Sequence, residues 1–357
     1  MKRAIARLLR IALLAAFWLF SLPAGGWSGQ AEEAVNEGLK LHEAGKLKEA
    51  IREYDRALKA NPKLADGYFN RGNAYYDLGQ NERAIKDYSE VIRLTPKDSE
   101  AYYNRGNAYR RLKKDEVALK DYSAAIKLNP EDAKAYVNRG SLHFDARRYD
   151  EAVKDFSAAI HISPKEAANY YNRGNSYLAL DKKDDAIKDY DEALSLEPKL
   201  AAAYYNRGVA YAALGEQEKA IRDFSETLQE QPKNADAYYN RGLARARLGQ
   251  TEAAIADYSE SIRLDPKDPE APYNRGLAYL RADKYDYAVR DFSEVIRLRP
   301  RNAEAHVYRG LARVYQGKEK EGDADFQRAF QLNPALKKTI QPIIDEAKTK
   351  AKTNLKE

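Results

Sequence analysis

Pro62, Pro96, Pro130, Pro164, Pro198, Pro232, Pro266, Pro300 and Pro334 follow one another at intervals of 34 residues. A fixed step held over most of a chain means one supersecondary unit copied in series. Two further columns keep the same step. One is Gly38, Gly72, Gly106, Gly140, Gly174, Gly208, Gly242, Gly276 and Gly310, and the other runs through Ala50, Ala84, Ala118, Ala152, Ala186, Ala220, Ala254 and Ala288 to Gly322. The units are 31–64, 65–98, 99–132, 133–166, 167–200, 201–234, 235–268, 269–302 and 303–336. Thirty residues precede them and 21 follow, which leaves no room here for a separate catalytic domain. Positions below are counted from the first residue of each unit.

Each unit reads as two helices. In unit 65–98 the pattern predicts a first helix from Ala65 to Leu78, a turn at Gly79-Gln80, and a second helix from Glu82 to Leu94. Pro96 ends it, because proline lacks the N–H that a continuing helix needs. At 100° per residue Tyr68, Gly72 and Tyr75 share one side of the first helix. Gly72 and Ala84 are expected to admit a neighbouring backbone, with Tyr88 and Ile92 filling the space between. A single pair cannot bury its apolar stripes alone, so each unit must stack on its neighbours.

An aromatic, a small Gly, a second aromatic, a small Ala, a further aromatic and a terminal Pro within 34 residues resemble the tetratricopeptide repeat family. The match runs over residues 31–336, and the 27 tyrosines are largely this motif counted nine times. The resemblance implies an all-α, right-handed α-solenoid superhelix of helix-turn-helix units, with the first helices lining a concave groove for peptides or protein segments. The first unit departs from the pattern at Ala34 and Leu41, as suits a terminal unit with one open face. After the repeats, in residues 337–357, Ile340, Ile343, Ile344, Ala347 and Ala351 recur at helical spacing, which predicts a capping helix.

Position 7 holds Arg71, Arg105, Arg139, Arg173, Arg207, Arg241, Arg275 and Arg309. Sixteen residues later stand Asp87, Asp121, Asp155, Asp189, Asp223, Asp257, Asp291 and Asp325. Copies spread evenly along a stack suit architecture, whereas carboxylates for acid–base chemistry should be few and close together. The expectation is an ion pair inside each unit, guanidinium to carboxylate through two parallel hydrogen bonds.

Position 6 holds Asn36, Asn70, Asn104, Asn138, Asn172, Asn206, Asn240 and Asn274, ending in Tyr308. An amide has donors and an acceptor, so a row of them can bond the main chain of an extended peptide whatever its side chains are. The column resembles the asparagine ladder in the repeat region of O-GlcNAc transferase. The alternative is that these residues serve packing or solvent contact. Position 5 adds an aromatic stripe of Phe69, Tyr103, Tyr171, Tyr205, Tyr239 and Tyr273, which is contact surface for a ligand. Position 9 changes from Asn73, Asn107, Ser141 and Asn175 to Val209, Leu243, Leu277 and Leu311. Two readings stay open for it: an apolar binding patch, or leucines that close neighbouring helices together. The carboxylate-clamp subclass of the family is matched by Asn73, Asn104 and Lys134 but broken by Phe69 and Asn138, which speaks against a chaperone co-factor.

Residues 1–30 carry Lys2, Arg3, Arg7 and Arg10, an apolar run from Ile11 to Leu22, and Pro23-Ala24-Gly25-Gly26. This is the layout of a signal peptide, with cleavage after Gly26 or after Ala31. An uncleaved anchor is the alternative, although the apolar run is short of the ~20 residues a span needs. The expected location is therefore periplasmic or secreted. The formal charge of +6 belongs to the ends; the repeats hold 51 basic and 52 acidic residues. Nucleic acid is accordingly not an expected partner. There is no Cys, the four His occupy four different repeat positions, and no phosphate loop, zinc helix or nucleophile elbow occurs. No catalytic residue, metal or cofactor is expected. The function expected is a non-enzymatic scaffold that binds a peptide or extended protein segment in its groove. The alternative is a structural subunit of a cell-envelope or secretion assembly that uses its outer face or ends, self-association included.

Overall fold

The computed structural model describes residues 27–354, all of them in helices and short turns. The expected leader lies outside the described residues up to Gly26, and from Trp27 the chain is helical. Nineteen helices are present among the described residues, packed as helix-turn-helix pairs with one extra helix at the end. The described residues divide into two compact units, with the boundary between Leu142 and His143.

The first unit pairs α1 (Trp27–Glu43) with α2 (Leu47–Ala60), α3 (Ala65–Asp77) with α4 (Asn81–Leu94), and α5 (Ser99–Arg111) with α6 (Asp115–Leu128). The boundary falls inside α7 (Ala133–Asp145). The second unit continues with α8 (Tyr149–Ile162) and then four pairs: α9 (Ala167–Ala179) with α10 (Lys183–Leu196), α11 (Ala201–Ala213) with α12 (Gln217–Glu230), α13 (Ala235–Arg247) with α14 (Thr251–Leu264), and α15 (Glu270–Arg281) with α16 (Tyr285–Leu298). The last pair is α17 (Ala303–Tyr315) with α18 (Glu319–Leu332), followed by α19 (Leu336–Asn354).

The turn inside each pair depends on position 15, which is left-handed in every repeat. Gly79 sits at φ 75° and its N–H donates to the Tyr76 carbonyl at 3.0 Å, while Gln80 N–H closes on Tyr75 O at 2.8 Å. These bonds satisfy carbonyls that the end of the first helix would otherwise leave open. Five repeats place Gly there, and Lys113, Arg147, Asp181 and Asp283 hold the same conformation without it.

Packing inside a pair turns on the glycine at position 8, and here the structure differs from the expectation of close backbones. A Cβ on Gly174 would stand 2.8 Å from Cε1 of Tyr190, and one on Gly72 2.9 Å from Cε1 of Tyr88. The glycine makes room for the position-24 ring of the second helix, which is thereby wholly buried. Burying a ring of that size stabilises by about 2–3 kcal/mol. The alanines at position 20 are fully buried as well.

The arginines of position 7 join three helices. Arg173 donates from Nε and Nη2 to the two carboxylate oxygens of Asp189, at 2.8 and 2.7 Å, and from Nη1 to Ser157 Oγ of the preceding repeat, at 3.1 Å. Arg105, Arg241, Arg275 and Arg309 repeat this on Asp121, Asp257, Asp291 and Asp325 together with Ser89, Ser225, Ser259 and Ser293. Arg71 and Arg207 reach an aspartate in the serine's place, Asp55 and Asp191, besides Asp87 and Asp223. Arg139 bonds Ser123 Oγ at 3.1 Å, and Asp155 is buried. From the second repeat on, the interaction thus ties a repeat to the one before it, and in Arg71, Arg105, Arg173, Arg207, Arg241, Arg275 and Arg309 it closes the pair as well. Hydrogen bonding to Asp121 and Asp189 holds Arg105 and Arg173 above the usual arginine range. Burial pushes the Asp87, Asp223 and Asp291 carboxyls up against the pull of their arginines, because desolvation disfavours the charged form.

The extra helix α19 lays Ile344, Ala347 and Ala351 against Val307, Leu311, Val314 and Phe326 of the last pair. Ile340 packs at the edge of this cluster and Ile343 faces solvent. Lys348 joins Asp323 at 2.6 Å and Glu319 at 3.2 Å.

Replacing Asp189 by Ala leaves the partly buried Arg173 guanidinium without its carboxylate. The expected loss is about 3 kcal/mol, read as a lower midpoint of urea unfolding followed by circular dichroism. An unchanged midpoint would remove the staple from the interactions that hold the stack.

Candidate functional site

Positions 2, 5, 6 and 9 of the first helices share one face, and the structure shows how much of it the protein itself uses. At position 5 the rings of Tyr103, Tyr171, Tyr205, Tyr239 and Tyr273 are half-buried. Each leans on the position-24 ring of its own repeat with centroids 5.8–6.1 Å apart, as in Tyr171 with Tyr190. Phe69 makes the same contact with Tyr88 and is buried, so little of it remains for a ligand. In the last repeat Val307 and Leu311 lie inside the cluster that α19 completes.

The position-6 amides reach back to the preceding repeat. Asn138 donates to Tyr103 Oη at 3.1 Å and to Asn107 Oδ1 at 2.8 Å, and Asn206 to Tyr171 Oη at 3.3 Å and Asn175 Oδ1 at 2.8 Å. Asn240 and Asn274 donate to Tyr205 and Tyr239, at 2.9 and 3.0 Å, and spend the second N–H on the carbonyls of Asp236 and Glu270. Asn104 points to Asn73 Oδ1 at 3.4 Å, and Asn70 bonds the Asp66 carbonyl. Asn172 is half-buried and Asn36 exposed. An amide has two N–H groups and one oxygen. In Asn138, Asn206, Asn240 and Asn274 both N–H groups are used within the protein, and the oxygen is the group each amide leaves for a further bond.

Position 9 obeys a rule that concerns the second helix. The hydroxyls of Tyr88, Tyr122 and Tyr190 donate to the amide oxygens of Asn73, Asn107 and Asn175 at 2.8–2.9 Å. Where position 24 is Phe156, Phe224, Phe292 or Phe326, position 9 is Ser141, Val209, Leu277 or Leu311. A buried hydroxyl needs an acceptor and a phenyl ring does not. Leu39 with Tyr54 and Leu243 with Tyr258 depart from the rule. The change along the face from polar to apolar thus follows the internal partner at position 24, and the signal for it, two columns fifteen residues apart that change together, is present in the sequence.

Charges border the rings. Burial and the nearby carboxylates of Glu270 and Asp268 push the Tyr239 hydroxyl up to about 12. Burial raises Tyr205 with a further push from Asp236, and raises Tyr273 with contributions from Tyr308 and Glu304.

Sequence profiles described as TPR repeat or tetratricopeptide repeat match residues 38–79, 72–113, 103–167, 174–215, 201–234, 224–256, 245–283 and 273–335. The chain belongs to the tetratricopeptide repeat proteins, a family of non-enzymatic scaffolds that bind protein partners. Among solved structures it is similar to the C-terminal part of a TPR repeat-containing protein from Cytophaga hutchinsonii, with 18% identity over 66% of this chain and 97% of that one and a TM-score of 0.58, a likeness of fold. It is also similar to the MamA protein, with 28% identity over 48% of this chain and 94% of that one and a TM-score of 0.45. YrrB, described as a TPR protein with an unusual peptide-binding site, shares 24% identity over 56% of this chain and 99% of its own, with a TM-score of 0.48. A search of curated proteins gives no match. Among the described residues no helix is long and apolar enough to cross a membrane.

Changing Asn175 to Leu takes the acceptor from the buried Tyr190 hydroxyl and is expected to cost about 1–3 kcal/mol. Adding Tyr190→Phe recreates the pairing of the later repeats and should recover about 1 kcal/mol of it. A double-mutant cycle measured by urea unfolding checks this; strict additivity would show that the two positions are independent.

Proposed function

We propose that the face formed by positions 2, 5, 6 and 9 of the first helices binds an extended peptide or protein segment. The observation that carries this reading is the state of the amide column. In three successive first helices of the second unit, Asn206, Asn240 and Asn274 have spent their N–H groups on the protein and keep their oxygens for a ligand. A row of fixed acceptors beside half-buried tyrosine rings suits main-chain N–H groups and apolar side chains together. A photo-crosslinking residue at Ala212 or Ala246, position 12 on this face, should capture partners from an envelope extract. The same residue at Arg222 or Glu226, exposed on α12, should not. Capture at α12 alone would instead favour a subunit that works through its outer face.

The scaffold is read as an exported one. Helix α1 begins at Trp27, and Ala31 and Ala34 are buried. Cleavage after Gly26 keeps the buried Ala31 and Ala34 in this helix, while cleavage after Ala31 removes its first turn. N-terminal sequencing of the mature chain should therefore begin at Trp27; a chain that retains Met1 would overturn export by cleavage.

A further inference from the structure

Three junctions between first helices in the second unit repeat one arrangement: the position-5 tyrosine of one repeat stands beside the position-2 acid of the next. Tyr273 donates to Glu304 Oε2 at 3.2 Å. Tyr205 feels the charge of Asp236, and Tyr239 that of Glu270, while Asn240 and Asn274 donate to the same hydroxyls. Asp236 and Glu304 are exposed, and Glu270 is paired with Arg299 at 2.5 Å. An acid in the first turn suits the helix dipole, but the dipole does not require it to stand against a tyrosine of the preceding repeat.

The charges of opposite sign on these helices lie elsewhere. The position-7 cations Arg241, Arg275 and Arg309 are bound to the buried Asp257, Asp291 and Asp325, Arg245 is bound to Asp257, Arg247 donates to the Ala212 carbonyl at 3.2 Å, and Arg281 is at position 13. Positions 2 and 13 are about 16 Å apart along a helix, beyond the ~8 Å screening length at physiological salt. At Asp236 and Glu304 the acid-bordered strip consequently keeps its own sign. With the amide N–H groups already used, what it presents outward is carboxylate and amide oxygen, so its ligand has to bring the donors and the positive charge.

We infer that the strip along Tyr205, Tyr239 and Tyr273 receives an extended segment of a partner protein that carries lysine or arginine at about every third residue. The cations sit against Asp236 and Glu304, with Glu270 between them already paired to Arg299, and their stems lie on the tyrosine rings. The spacing follows from geometry: neighbouring packed helices are about 10 Å apart, and an extended chain advances about 3.3 Å per residue. This rests on the groove reading above and adds the class of ligand to it.

The test is fluorescence anisotropy with labelled peptides of repeated Lys-Ala-Ala, Gln-Ala-Ala and Glu-Ala-Ala. The wild-type chain is compared with an Asp236→Asn, Glu304→Gln double variant whose helical content is checked by circular dichroism. The lysine peptide is expected to bind about tenfold more tightly than the glutamine peptide, and to lose about that factor in the variant or at high salt. Equal binding of the lysine and glutamine peptides would overturn the inference and leave the groove reading standing. So would a lysine peptide that binds the folded variant as well as the wild type, or a preference for the glutamate peptide. Failure of all three peptides to bind would overturn both.

Discussion

A guanidinium that stands on the first helix of its repeat and must satisfy the second helix of that repeat and the second helix of the preceding one sets the terms for everything else in the structure. Arg173 spends three nitrogens, two on Asp189 and one on Ser157, and each of these partners is on a different second helix. A planar fork cannot meet both unless the helices keep one angle and one spacing. Apolar contact alone tolerates sliding, because alanines and leucines pack acceptably in several registers. The buried carboxylates, raised by desolvation in Asp87, Asp223 and Asp291, are unfavourable by themselves. They suit the fold because the arginine satisfies them only in the stacked arrangement.

The same economy governs the face of the first helices. Polar atoms there serve the stack first: tyrosine hydroxyls bond the position-9 amides, and the position-6 amides bond both their neighbours and their own helix. What remains of that internal accounting is a set of amide oxygens among half-buried rings, the basis of the proposed groove. A scaffold built in this way can present a repeated recognition element at a repeated distance, since each element is held by bonds to the next repeat.

Much of this was legible residue by residue. The sixteen-residue offset between Arg71 and Asp87, the glycine at position 8 and the proline at position 32 are visible as columns. Local geometry then follows, because a helix has a fixed rise and twist. Other parts were not legible. The third bond of each arginine goes to position 25 of the preceding repeat, where serine and aspartate alternate without obvious pattern, as at Ser89 and Asp55. A glycine such as Gly72 suits a close backbone as well as a ring, and only the packed pair shows that the Tyr88 ring occupies the space. Position 9 left two readings open, a ligand surface or packing between helices, because the partner that its column changes with lies fifteen residues away on a different helix.

By itself the sequence determined the period, the helix pairs, the turn at position 15 and the residue types in each column, since these depend on interactions within one unit. Tertiary structure alone decided which atoms of those residues remain open. A side chain such as Asn206 has the same donors and acceptor in any sequence context, and its N–H groups are consumed only when Tyr171 and Asn175 of the preceding repeat are brought within 3.3 and 2.8 Å. That distance is a property of stacking, which no single unit contains, so the chemistry this face can offer a partner became definite only once neighbouring repeats were in place.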